Sequence, residues 1–159
     1  MENFNNLQQN KFKFTLDRLP NVEFRVQRAA VPGVTLGSID FPTPFTKIPT
    51  PGHMTFDDFS ISFTVGENLE EYIEILDWMT EIGQPEHLGQ QRPVFRDNMS
   101  AASLIILDSA STPNFNVEFT EMFPVGLSSL EFDTQIQGSQ YVIATASFRY
   151  TRFKIKKIT

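Results

Sequence analysis

The sequence predicts a mainly β fold: an antiparallel sandwich or barrel with one principal α-helix packed on one side. Three observations carry that expectation. Short segments alternate apolar and polar residues with the two-residue period of half-buried strands, as in Phe59, Ile61, Phe63 and Val65 against Ser60, Ser62 and Thr64. One stretch changes period: after Gly66, Leu69, Tyr72, Ile73, Leu76, Met79 and Ile82 recur at three and four residues, a helical stripe. The remaining apolar runs are strand-length and punctuated by Gly, Pro and Asn, with no second helical stripe of that length.

The elements follow in order. Residues 1–10 read as a polar N-terminal arm. Lys11–Arg18 and Val22–Arg28 alternate on either side of Leu19-Pro20-Asn21, which predicts a hairpin with Phe12, Phe14, Leu16, Val22, Phe24 and Val26 inward. Residues 29–51 carry prolines at 32, 42, 44, 49 and 51, which exclude a regular central strand through most of the segment. Yet Val34, Leu36, Ile39, Phe41, Phe45 and Ile48 are apolar. The segment reads as an extended arm, with a short strand near Thr35–Phe41, laid either on another surface or over its own core. In the helix, Leu69, Tyr72, Ile73, Leu76 and Met79 are expected on the sheet. Asn68 is expected to cap its start, Glu70, Glu71 and Glu74 to suit its positive end, and Gly83 and Pro85 to stop it.

Beyond a loop at 86–100, Ala102–Asp108 is apolar on both faces and suits a central strand. Asn114–Glu121 alternates, and Met122–Gly126 reads as a bulge or corner. Leu127–Asp133 resumes a strand, Gln137-Gly138-Ser139 turns, and Gln140–Phe153 reads as the longest strand. A single domain over residues 1–159 is expected, ending in a basic extension at 151–159.

Composition narrows the function classes. Cysteine is absent, which removes disulfides, thiolate metal sites and cysteine nucleophiles together. No run of eighteen apolar residues is present to span a membrane, and the polar N-terminus lacks the pattern of a secretory signal. Sixteen phenylalanines with a mean hydropathy of -0.21 imply concentrated apolar faces on a polar chain, some of them meeting other subunits.

The net charge of -6 is unevenly spread. No Lys or Arg lies between Ile48 and Gln91, where nine acids include Asp57 and Asp58, whereas Arg149, Arg152, Lys154, Lys156 and Lys157 crowd the C-terminus. These are either solvated faces or complementary surfaces on neighbouring copies.

No chemistry assembles from the residues. No GxSxG elbow, phosphate loop or dinucleotide fingerprint occurs, and His53 and His87 lack partners at metal-ligand spacing. Asp57 and Asp58 are adjacent, so on a strand they would point to opposite faces. The reading is a non-enzymatic chain with no catalytic residue, metal or cofactor.

Thr55-Phe56-Asp57-Asp58-Phe59, followed by an alternating strand, an acidic turn and a helix carrying Asp77-Trp78, resembles the tail tube proteins of contractile-tailed bacteriophages. The Phe123-Pro124 corner, the short strand Ser129–Asp133 and the long C-terminal strand ending at Tyr150 resemble them too. The resemblance implies a barrel of the tail tube type, shared with type VI secretion and contractile bacteriocin tubes. It implies hexameric rings stacked into a tube that conducts DNA, with the sheath, baseplate and tube-end proteins as partners. It places the chain in the virion tail, assembled in the host cytoplasm. The five-proline arm and the basic extension depart from the pattern and point to a baseplate initiator or tube-end protein as the alternative, with the tube subunit of a related contractile injection system as a further one. The expected subunit contacts are then the arm residues, Asp57, Asp58, and the basic residues from Arg149 to Lys157.

Overall fold

The computed structural model describes residues 6–84 and 95–158. The strands are β1 (Phe12–Leu16), β2 (Val26–Ala29), β3 (Val34–Pro42), β4 (Lys47–Phe56), β5 (Phe59–Thr64), β6 (Ser100–Leu107), β7 (Pro113–Leu127), β8 (Ile143–Arg149) and β9 (Arg152–Lys157). The helices are a single turn, α1 (Pro20–Glu23), and the principal helix α2 (Glu70–Gly83). A short 3-10 turn at Phe95–Asn98 leads into β6.

Fifteen-residue β7 organises the sandwich. Its first half lies between β6 and β9, and its last residues pair with β8. One layer is therefore β1-β6-β7-β9 and the other β7-β8-β5-β2, with every pairing antiparallel. The strand bends where Glu121 takes a left-handed backbone (φ 55), and it bulges between Pro124 and Gly126. That is the expected corner, made inside one continuous strand.

The inward residues of both layers form one aromatic-rich core. Phe59 stacks at 4.6 Å from Phe119 and at 5.5 Å from Phe14, joining the layers. Phe63, Ala144, Ala146, Phe148 and Val117 are fully buried around them. The opposite face of β5 and β8 carries small hydroxyls instead, with Ser60 opposite Ser147 at 3.3 Å and Ser62 opposite Thr145 at 3.2 Å.

Several expectations need correction. Residues 11–28 are not a hairpin: β1 pairs with β6 and β2 with β5. Pro20, with its fixed φ, starts the α1 turn, which buries Val22 and leaves Phe24 exposed. Leu127–Asp133 does not resume a strand past Leu127; Ser128–Val142 is a long connection in which Leu130 packs on the core and Phe132 is exposed. The C-terminal run is two strands, because the chain changes layer at Tyr150-Thr151. There the Thr151 N–H donates to the Thr120 carbonyl at 3.1 Å, beside the β7 corner. The basic extension is thus largely a paired strand, with Lys154 opposite Glu118 and Lys156 opposite Asn116.

The helix is rotated from the expected stripe. Ile75 and Trp78 are buried, with Tyr72 and Met79 against the core, but Ile73 and Leu76 are each 46% exposed. The reason is Glu71, a buried carboxylate paired with Arg25 and accepting the Gly66 N–H at 3.1 Å. An acid held inward turns the helix by about one residue. Leu69, in a left-handed conformation (φ 57), precedes the first helical residue, and Asn68 makes no cap bond. The helix ends at Gly83 as expected, while Pro85, Glu86 and His87 lie outside the described residues.

Candidate assembly surfaces

The arm is a two-stranded hairpin, β3 with β4, longer than the short strand expected. Pro49 and Pro51 sit in β4 opposite Asp40 and Ser38. A ladder of only two strands leaves one edge unbonded, so prolines with no N–H are tolerated there. Val34, Leu36, Ile39, Phe41, Phe45, Ile48 and Met54 are all exposed large apolar side chains.

Their arrangement along the arm has a local cause. Between Leu36 and Ser38 the register shifts: Leu36 faces Met54, but Ser38 faces Pro51. The extra residue lies in β4, at Gly52-His53. Before the bulge the apolar pairs are Val34–Phe56 and Leu36–Met54; beyond it they are Phe41–Ile48 and the Ile39 position. Strand alternation puts these two sets on opposite faces. Glycine at 37 and 52 permits the close crossing, since a Cβ on Gly52 would stand 3.1 Å from the Gly37 carbonyl oxygen.

The arm's root is anchored. Phe56 packs at 6.0 Å from Tyr150 and 5.6 Å from Phe153, and the Tyr150 hydroxyl donates to the Asp57 carbonyl at 2.8 Å. Asp57 and Asp58 link β4 to β5, and Asp58 meets Arg149 at 3.6 Å within the same chain. Burial, with the carboxylates of Asp57 and then Asp58, pushes the Tyr150 phenol up to about 12 from 10.0. The folded state therefore holds the proton more tightly than the unfolded state. Stability contributed here is intact below pH 10 and is lost as pH rises toward about 12. Tyr150→Phe is expected to flatten that part of the alkaline unfolding profile, followed by circular dichroism. An unchanged slope would mean that Tyr150 is not the group responsible.

Two further features went unseen in the sequence. The acids of α2 are not simply solvated: Glu71 holds Arg25, Glu74 accepts from Asn21 and Glu81 holds Arg18. Only the charge pattern hinted at it, through arginines in an otherwise short connection. The second feature is a cleft of about 700 Å³ between the edge strands β1 and β2, lined by Gln9, Asn10, Phe12, Val26, Gln27, Arg28 and Ala29. β1 and β2 each pair on one side only, so the sandwich has two open edges there.

Of the expected contact residues, the arm set stands together on the hairpin, and Asp57, Asp58 and Arg149 gather at its root. Arg152, Lys154, Lys156 and Lys157 lie apart from the hairpin on β9, where Lys156 meets Glu118 at 2.6 Å. His53 is in the arm bulge, and among the described residues no group of three His, Asp or Glu side chains could hold a metal ion. No helix among them is long and apolar enough to cross a membrane.

The same overall fold is found in solved structures of contractile injection systems. The cap of the anti-feeding prophage tube shares it with a TM-score of 0.71 at 15% identity, over 99% of this chain and 95% of that one. The sheath/tube terminator of an extracellular contractile injection system, PVC, does so at 0.70 and 12% identity, over 96% and 97%. In sequence, the tail tube terminator protein of Enterobacteria phage T4 is 26% identical over 136 residues, 82% of this chain and 76% of that protein. The phage tail tube protein family matches residues 2–156, and the chain belongs to it. It is a tail tube-related component of the virion tail.

Proposed function

We propose that this chain is a tube-end subunit, a terminator, and that six copies form a ring on the end of a tail tube inside a contractile sheath. One observation carries the reading: the similarity in sequence above falls on a tube terminator, over most of both chains. The physical features support an assembling subunit. Open strand edges at β1 and β2 are a hazard in a lone chain and are removed when neighbours complete the sheet. The exposed apolar side chains of the arm are likewise suited to burial against another subunit. The proposed partners are further copies of this chain, the last ring of tube subunits and the sheath. DNA passes through the ring without specific contacts, aided by the chain's net negative charge.

A terminator and a stacking subunit differ in one outcome. Purified chain examined by light scattering and negative-stain microscopy is expected to give discrete rings that do not elongate as concentration rises. Added to growing tubes, it is expected to stop them with one ring at an end. Long tubes of this chain alone would overturn the terminator reading and restore the main tube subunit.

A further inference from the structure

The tip of the arm presents an aromatic side chain beside a cation, and a groove elsewhere on the same chain is largely apolar with a carboxylate in its wall. The tip residue Phe45 is 98% exposed, so it touches nothing of its own chain to speak of. Its turn is nevertheless held tightly. The Thr43 N–H donates to the Thr46 carbonyl at 2.8 Å, the Thr46 N–H donates to Thr43 Oγ1 at 3.1 Å, and Pro42 and Pro44 stiffen the approach. An aromatic side chain on a pre-organised turn loses little backbone freedom on docking, and such anchors dominate interfaces.

The groove lies between the segment leading into α2 and the long connection from β7 to β8. It encloses about 390 Å³ and is lined by Val65, Leu69, Leu130, Phe132, Tyr141 and Val142 among others. Phe132 is 78% and Tyr141 85% exposed, so its walls stand open. A volume of that order accommodates an aromatic ring.

Charge selects the occupant. Over β3 and β4 the arm carries Asp40 and Lys47; Lys47 is the charge nearer the tip, two positions from Phe45, with Asp40 two rungs further down the ladder. Of the groove's lining residues only Glu67 is ionised; Glu131 and Asp133 flank the lining residues Leu130 and Phe132 in sequence, and Arg25, whose guanidinium lies against Gly66, is already paired with Glu71. An apolar anchor beside a cation suits an apolar groove with a carboxylate, Glu67, in its wall, and such complementarity fixes register.

We propose that Phe45 of one copy seats in this groove of a second copy, with Lys47 against Glu67 and Glu131. Tip and groove are different surfaces, so the contact is heterologous and closes into a ring when its rotation permits. The inference rests on the ring-forming reading above and names the contact that would join neighbours.

The chain has no cysteine, so single cysteines can be placed without background. Thr46→Cys and Ser139→Cys chains, mixed and treated with a short bismaleimide, are expected to give a mixed cross-linked species. The pair Thr46→Cys with Ser111→Cys is expected to give none. Phe45→Ala in the first chain should lower the yield about tenfold or more, as loss of an anchor does. Lys47→Glu should do the same, with recovery when Glu67→Lys and Glu131→Lys are placed in the second chain. All these positions are exposed, and circular dichroism checks that each variant is folded.

Wild-type rings without the selective cross-link would overturn the docking while leaving the ring intact. Absence of both rings and cross-link would overturn the ring as well. A Thr46→Cys tip that links only to a different tail protein in whole particles would overturn the second-copy occupant.

Discussion

Phe119→Ala is expected to cost about 3–5 kcal/mol of folding stability, a large part of what a domain of this size possesses. The ring is 1% exposed on the inner face of β7, just before the strand turns from one layer to the other. It stands 4.6 Å from Phe59, 5.1 Å from Tyr150 and 5.9 Å from Phe153. Removing it takes away transfer energy and also leaves a void that two layers share, which neither can fill alone. Urea unfolding followed by fluorescence of Trp78, the single tryptophan, measures the loss. Phe45→Ala is the natural contrast, because an exposed ring should change stability by no more than about 0.5 kcal/mol. A Phe119→Ala loss below about 1 kcal/mol would contradict the shared core.

The second large effect is expected at Arg25. Glu71 is 4% exposed and has two partners, the Arg25 guanidinium and the Gly66 N–H. Arg25→Ala leaves the carboxylate buried with one neutral donor. Losing one member of a buried ion pair typically costs about 3–5 kcal/mol. Arg25 itself is half-exposed, so water entering its place softens the loss toward about 3 kcal/mol. Adding Glu71→Gln removes the stranded charge and keeps the length of the side chain. The double variant is therefore expected to recover part of the stability lost in Arg25→Ala, as a double-mutant cycle would show. No recovery would mean that Arg25 acts by packing on Gly66 and not by charge.

Those two sites show what the sequence makes legible and what it hides. The inward residues of β5 and β8, from Phe59 to Phe148, are plain in the alternation, because period two has a single meaning once one face is buried. The helix is equally plain as an element. Its facing is not, because Glu71 counts as a surface residue in any hydrophobic pattern, and only Arg25 on a distant segment makes its burial tolerable. The same limit explains the C-terminus. Val142 to Tyr150 alternates on even positions, and the phase moves to Phe153 and Ile155 where the strand changes layer at Tyr150-Thr151; a change of phase marks the break but not which strand lies beside the new segment. The arm's apolar content was legible as an oddity for a loop. Its hairpin pairing was obscured by Pro49 and Pro51, which argue against strands only where both edges are paired.

The bend in β7 and the crossing between β8 and β9 lie side by side, tied by the Thr151 N–H to the Thr120 carbonyl and by the Thr151 hydroxyl to Glu121. Two covalent struts therefore pass from one half of the wall to the other at a single corner. Sliding the halves past each other would require both struts to flex together, so a load between the layers travels through main-chain bonds as well as through side-chain packing. The hairpin is rooted beside this corner, through Phe56 and Asp57 on Tyr150. A pull on its far end is delivered to this doubly tied corner.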